Sequence, residues 1–384
     1  MGEGSIVLQK WKMSRLFARP SAFFRSLFWA AGFALTSLCS AQPAPAQTAP
    51  SAQSNPAPPS AQSGQNQSNQ NQGTGQNQSN LPEIGKSAEG KKEAAAEAAA
   101  KATARHFDRV LIIVLENVDY EVAVQDKNLA ALAEHGASFT NFHALFHPSY
   151  PNYLAMIAGT DFGVRRRRGR YLADMQINFP NDSAHKTIAD RLIAADLDFK
   201  QYVEELPGGT CPWTMSGQHV SDKRGNYVRR HVPFLSFREV QEKWCDRVVR
   251  VDSGKSDNFF IQDAKKGLVA YSFYTPNMNH DGHDTSVQVA GAWAKKFLDD
   301  TFSEKLRGGT LVIVTFDESG GNSDNRIFTL FLGDMVKEAS QQDPKALDRR
   351  YTHYNLLRTI EDNFGLEPLT ANDREAAPIT DIWK

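Results

Sequence analysis

The residues best suited to chemistry lie in the run His147-Pro148-Ser149-Tyr150-Pro151-Asn152-Tyr153. It sets a serine hydroxyl just before a predicted helix. Leu154, Ile157 and Ala158 follow at helical spacing, and Gly159 can close the last turn. Pro151 suits the first helical position, where its missing N–H costs nothing. A serine there faces the positive end of a helix dipole and free backbone N–H groups, which suit an anionic ligand. A hydroxyl that attacks phosphorus needs such a place, together with a metal ion that lowers its pKa. A serine at a helix start is also an ordinary N-cap, so the rest of the chain must decide between the two.

Two apolar runs end in acidic groups. Val110–Leu115 runs into Glu116-Asn117, and Leu311–Phe316 runs into Asp317-Glu318. Both runs read as buried strands. Ligands gather at the carboxyl ends of strands in open α/β sheets, where a carboxylate is a natural ligand for a hard or borderline cation. Acidic residues also simply mark where a strand meets water. Two such ends beside the serine run shift the reading toward a metal site. A third cluster, Pro276-Asn277-Met278-Asn279-His280-Asp281-Gly282-His283-Asp284, follows the predicted strand Val269–Tyr274. It is open to reading as a solvated loop, or as a source of ligands, phosphate-oxygen donors or a general acid. Asp281 and His283 are the preferred pair.

The elements that must position these groups alternate. Beyond the three strands named, Ile327–Leu332 is a fourth apolar run, and helical patterns cover Leu129–Glu134, Ile188–Ala195, Val287–Phe302 and Tyr354–Asn363. Such alternation predicts an α/β fold with a largely parallel central sheet and helices on both faces. The globular part is expected to run from Arg105 to the end, about 280 residues, enough for one large core.

Ahead of it lie segments without chemistry. Residues 1–41 have the order of a secretory signal: Lys10, Lys12, Arg15, Arg19 and Arg25, then apolar Leu27–Leu38, then small residues. Cleavage after Ala41 or after Ala46 fits equally, and an uncleaved anchor is the less favoured alternative. Residues 42–104 read as a disordered polar linker followed by an Ala-rich spacer. Export would leave Cys211 and Cys245, whose simplest arrangement is one disulfide, with two separate buried thiols as the alternative. The net charge of −1 excludes a strongly basic nucleic-acid binder and an acidic tail protein.

Glu116-Asn117, His147-Pro148-Ser149-x-Pro151-Asn152-Tyr153, Pro276-Asn277-x-x-x-Asp281-Gly282-His283-Asp284 and Phe316-Asp317-Glu318 occur in that order. Together they resemble the phosphoesterase family of secreted bacterial and fungal acid phosphatases and phosphocholine-type phospholipases C, within the alkaline-phosphatase-like superfamily. The similarity spans about Arg109 to Trp383. Asn-x-x-Asp-Gly-His-Asp-Thr and Tyr351-Thr352-His353-Tyr354 resemble the acid-phosphatase branch. The resemblance implies an alkaline-phosphatase-like fold, with Ser149 as a nucleophile that becomes phosphorylated. Glu116, Asn117, Asp317 and Glu318 would hold a divalent metal of unknown identity. Asn152 would donate to a phosphoryl oxygen, and Asp281, His283 and Asp284 would complete the site, with Asp284 a further ligand. His231, His280 and His353 are weaker candidates. Cysteines near Cys211 and Cys245 are common in the family, which supports the disulfide. Two features depart from it: His280 stands where fungal members tend to have Asn, and the run Arg165–Arg170 is unusually basic.

The expected function is an exported phosphomonoesterase with a small phosphorylated substrate. A phosphodiesterase or phospholipase C is the runner-up, and an inactive binding protein on the same fold is the reading from another class. A sulfatase is disfavoured because Tyr153 stands where that family's motif has arginine. Nucleic acid is not an expected partner, and a membrane surface is the less favoured setting. Protonated His231, His280, His283 and His353 would favour activity below pH 7.

Overall fold

Six consecutive apolar residues, Val110 to Leu115, have no polar face to turn to water, so they require cover on both sides. In the computed structural model, which describes residues 105–164, 178–208, 223–252, 258–302 and 308–384, all six are buried at the centre of the sheet. The main elements in chain order are β1 (Arg109–Leu115), α1 (Lys127–Ala133), β2 (Gly136–Phe139), α2 (Ser149–Ala158), α3 (Ile188–Ala194), β3 (Phe199–Glu204), β4 (Val248–Val251), α4 (Phe259–Lys266), β5 (Tyr271–Thr275), α5 (Val287–Thr301), β6 (Thr310–Phe316), β7 (Thr329–Leu332) and α6 (His353–Phe364).

The strands form one seven-stranded sheet in the order β2-β7-β6-β1-β5-β3-β4. From β6 to β4 every pairing is parallel. β7 runs antiparallel to β6 and to β2. Helices flank the sheet, with α1 packed on α5 and α2 on α6. The mixed, mostly parallel α/β architecture is the one predicted. The run Ile327–Leu332 departs from the parallel pattern as β7, because the connection over residues 317–328 contains no helix to carry a crossover and returns beside β6 as an antiparallel neighbour. All described residues belong to one unit, Asn80–Lys384. Among them no helix is long and apolar enough to cross a membrane.

Helix α2 carries the serine, and all ten of its residues are buried. A helix enclosed on every side tolerates little displacement. Its N-cap is Pro148, so Ser149 is the first helical residue and Pro151 the third. Pro151 was expected first, and either place lies within the turn whose N–H groups have no helical partner. Gly159 closes the helix with φ 66°, and a Cβ there would meet Asp373 Oδ1 at 2.2 Å. Thr370 Oγ1 and Asn372 Nδ2 each donate to the Gly159 carbonyl at 2.9 Å.

Beneath this clasp lies Glu361 of α6, fully buried. Burial first, and then the charge of Asp373, push its carboxyl up to about 9. Between the ordinary glutamate range and that value the unfolded chain releases a proton that the folded chain keeps. Stability from this group is therefore complete in acid and is lost as pH rises toward 9. Glu361→Gln, which imitates the neutral acid, is expected to flatten that slope. It should raise the urea midpoint at pH 8 by roughly 0.5 M or more relative to wild type while changing it little near pH 5. Equal slopes in the two proteins would show that Glu361 is ionised in the fold.

Candidate active site

β1 and β6 pair in parallel with Leu115 opposite Phe316. The next residue on each strand, Glu116 and Asp317, therefore leaves the sheet beside the other. Asp281 arrives on the loop after β5, and its carbonyl accepts the Glu116 N–H at 2.9 Å. Ser149 enters from the start of α2. Its Oγ lies 3.2 Å from Glu116 Oε2 and 2.9 Å from Glu318 Oε1, and its one proton can be donated to either. Tyr153 stands one helical turn beyond Ser149, on the same face, and its hydroxyl donates to Glu116 Oε1 at 2.6 Å. The Tyr153 ring stacks on His231 with centroids 4.9 Å apart and planes at 12°. His231 ends the turn Arg229–His231. Its Nε2 lies 3.1 Å from Glu116 Oε1 and its Nδ1 3.5 Å from Asp281 Oδ2.

Glu116, Asp281, Asp317 and Glu318 are all buried. Burial is the largest force pushing each carboxyl up. Asp281 adds to it at Glu116, and Glu116 and Glu318 add to it at Asp317. At Glu318, hydrogen bonds from Ser149, His147 and Asn117 pull the other way. His231 is held well below the usual imidazole range by burial, then by Arg230 and His283. Among the described residues, Asn117 Oδ1, Asp281 Oδ2, Asp317 Oδ2 and His231 Nε2 are buried without a hydrogen bond. Ligand atoms of Glu116, His231 and Asp281 lie within 4.8 Å of one another. Buried carboxylates crowded together with unfilled acceptors are costly on their own. A divalent cation answers both the charge and the empty lone pairs. Several oxygens with one imidazole form a donor set for a hard or borderline ion. The residues present fit such an ion.

The structure thus gathers Ser149, Glu116, Asn117, Asp281, Asp317, Glu318 and His231. Asn117 takes φ 49°, and its N–H and Nδ2 donate at 3.4 Å to Asp317 Oδ1 and Glu318 Oε1. Asn152 also has a structural role. Its Oδ1 accepts the N–H groups of Leu145 and Phe146 at 3.0 Å, and its Nδ2 donates to the Phe146 carbonyl at 2.8 Å. It ties down the loop that leads to Ser149, and one of its two Nδ2 protons is used in doing so. His353 is fully buried and lies 2.8 Å from the Asp317 carbonyl through Nε2, with burial lowering its pKa to about 4. His283 sits at the rim, its side chain 29% exposed, with Nδ1 2.8 Å from Asp284 Oδ1. Asp284 faces that ring and stays outside the buried cluster. His280 pairs instead with Glu204, 2.6 Å away. Burial thus lowers the pKa of both His231 and His353.

Two contributors carried no assignment in the sequence reading. Tyr153 had its signal in the four-residue spacing from Ser149. His147 places Nδ1 against Glu318 Oε2 and Nε2 at 3.1 Å from the Asn322 carbonyl. Its only sequence signal is its position two residues before the serine. Arg165–Arg170 and Cys211 lie outside the described residues.

A model of the phosphoesterase family matches residues 36–367. The chain belongs to the phosphoesterase family. A probable acid phosphatase of Kluyveromyces lactis is 34% identical over 77% of this chain and 67% of its own length. A phosphatidylinositol-3-phosphatase of Mycobacterium tuberculosis is 32% identical over 72% of this chain and 83% of its own. The fungal acid phosphatases that this phosphoesterase resembles are longer, and it spans 56% to 67% of their length. A solved Vibrio parahaemolyticus protein in the alkaline phosphatase superfamily is similar with a TM-score of 0.48 and 15% identity, over 74% of this chain and 78% of that one.

Proposed function

We propose that this phosphoesterase is an exported, divalent-metal-dependent acid phosphatase that hydrolyses phosphate monoesters by double displacement through Ser149. The observation that carries the reading is the buried Ser149 Oγ, 2.9 Å from Glu318 and 3.2 Å from Glu116 among carboxylates with unfilled acceptors. Glu116, Asn117, Asp281, Asp317, Glu318 and His231 would hold the cation. When bound, it supplies positive charge that lowers the pKa of the serine hydroxyl and neutralises the transferring group.

The chain's own groups do the rest. Glu318 or Glu116 accepts the proton that Ser149 Oγ gives up. The serine oxygen then bonds to phosphorus as the ester oxygen departs with its electron pair and takes a proton from solvent by way of His283, leaving phosphoserine and an alcohol. Helix α2 directs its positive end at the phosphoryl oxygens. Tyr153 fixes Glu116 by its hydrogen bond. His283 at the rim is the residue placed to exchange protons with solvent and leaving group. Water then attacks the phosphoserine, releasing phosphate and restoring Ser149.

In this reading residues 1–41 direct export and 42–104 are a linker. The catalytic domain spans 105–384, and Cys211 pairs with Cys245. The start of that domain is pinned where His106 and Phe107 donate through N–H to Asn363 Oδ1 at 2.7 and 3.1 Å. Purified protein is expected to hydrolyse p-nitrophenyl phosphate faster than p-nitrophenylphosphorylcholine. It should lose that activity on exhaustive chelation and recover it with added divalent cation. Full activity after chelation would contradict the metal dependence, and a preference for the diester would contradict the substrate class.

A further inference from the structure

Asp281 enters the site on the loop Pro276–Asp284, which contains no helix or strand of its own. Its Oδ1 accepts the His283 N–H at 2.8 Å within the same loop, so whatever fixes the loop fixes the carboxylate opposite His231. The candidate lies behind the loop. Glu204, the last residue of β3, is buried, and its two oxygens meet three groups. Oε2 accepts the Asn277 N–H at 3.0 Å and lies 2.6 Å from His280 Nδ1. Oε1 accepts the Tyr274 hydroxyl at 3.2 Å.

The loop is then held along its length. Asn277 Oδ1 accepts the N–H groups of Asn279 at 3.1 Å and His280 at 3.0 Å. Glu205 Oε1 accepts Asn277 Nδ2 at 2.9 Å. The His280 ring lies flat on Trp293 of α5, centroids 5.7 Å apart and planes at 15°. From this bracket the Asp281 N–H reaches back to the Asn277 carbonyl at 2.9 Å, while the Asp281 carbonyl receives the Glu116 N–H at 2.9 Å. The Asp281 backbone is thus held from two sides, by Glu116 at the end of β1 and by the Glu204–Asn277–His280 bracket at the end of β3. A buried carboxylate is retained at a cost unless its acceptors are filled, and those of Glu204 are filled by two groups of this loop and by Tyr274.

We propose that Glu204 and His280 are positioning residues that set the Asp281 carboxylate against His231 and Glu116; the proposal rests on reading Asp281 as part of the cation-holding cluster. His280 then acts through Asp281 and does not contact the phosphoryl group. Partners that orient a ligand cost about 10-fold to 100-fold in metal affinity or activity when removed.

The test is a double-mutant cycle on the full chain. Mn²⁺ affinity of the metal-stripped protein and kcat and KM for p-nitrophenyl phosphate are measured for Glu204→Gln, Asp281→Asn and the double variant. Glu204→Gln is expected to weaken Mn²⁺ binding and lower kcat by about 10-fold with KM changed less. In the Asp281→Asn background the same substitution should cost less than about twofold, because residues that act through one another are not additive. His280→Gln, at a half-exposed position, repeats the cycle should Glu204→Gln fold poorly. Equal losses in both backgrounds would overturn the positioning role, as would an unchanged Mn²⁺ affinity in Glu204→Gln and His280→Gln. A raised KM alone in His280→Gln would overturn it in favour of substrate contact. If Asp281→Asn itself leaves affinity and kcat intact, the reading of the cluster fails and the proposal falls with it.

Discussion

Ser149→Ala is expected to fold and to keep its cation affinity within a few-fold while losing turnover of p-nitrophenyl phosphate by about 10³-fold or more. Removing the hydroxyl deletes the atom proposed to bond to phosphorus. Tyr153, the nearest hydroxyl on the same face, is committed to Glu116, and burial keeps it protonated far above the usual range. The substitution should leave packing nearly intact, since the Cβ stays in place and a single hydrogen bond is lost. Circular dichroism and Mn²⁺ titration check the fold and the cation, and steady-state kinetics check the loss. Substantial activity in the alanine variant would remove Ser149 from the chemistry and leave a water molecule as the nucleophile.

The second large effect is expected at Asp317. It is fully buried, and Oδ2 has no hydrogen bond among the described residues. Asp317→Asn keeps the shape and removes the charge, so metal content and activity should fall together, each by on the order of 10²-fold. The same change should act in the opposite direction on the metal-free protein. Glu116 and Glu318 crowd Asp317 in a buried place, so its carboxylate weakens the empty fold. Chelated Asp317→Asn should melt a few degrees above chelated wild type, about what 1 kcal/mol gives in a domain of this size. Metal analysis, turnover and thermal melts on one preparation read all three. A variant that keeps its metal, or that melts lower than wild type when chelated, would place Asp317 outside the cation site.

Much of this arrangement was legible in the sequence because burial writes itself into residue types. Val110–Leu115 and Leu311–Phe316 are unbroken apolar runs, and the acidic residue after each one marks the same end of two adjacent parallel strands. Strands with mixed composition gave weaker signals. In β3 the buried Gln201 spends its amide on Thr275 Oγ1 at 3.0 Å and the His231 carbonyl at 3.3 Å, so a polar residue sits where the pattern calls for an apolar one. In β4, Arg250 breaks the run, its guanidinium held by Asp252 at 3.0 Å. The direction of β7 depends on the connection from β6 and not on its own residues.

Side-chain roles were harder to read than positions. Ser149, Glu116 and Asp317 lie together because the elements carrying them were the ones legible as a strand pair and a helix start. His231 gained weight only in three dimensions, since a three-residue turn has no periodicity to reveal which way its imidazole points. Asn152 has the residue type of an anion donor, and its Oδ1 also accepts from Leu145 and Phe146, a contact between residues six and seven apart that the pattern does not reveal. His353 and His280 were candidates by type. One is sealed against the Asp317 carbonyl and the other is engaged by Glu204. Residue type therefore named the candidate groups, and hydrogen-bond partners show how each one is engaged in the fold.

The claim on which the account depends is that Ser149 itself is phosphorylated during turnover. The direct measurement is acid quenching of the wild-type protein during steady-state hydrolysis of p-nitrophenyl phosphate, followed by digestion and peptide mass spectrometry. One phosphoryl group is expected on the peptide that carries Ser149, formed only with the divalent cation present and absent in Ser149→Ala. Turnover at full rate with no phosphorylated peptide at any quench time, or with the phosphoryl group on another residue, would contradict it.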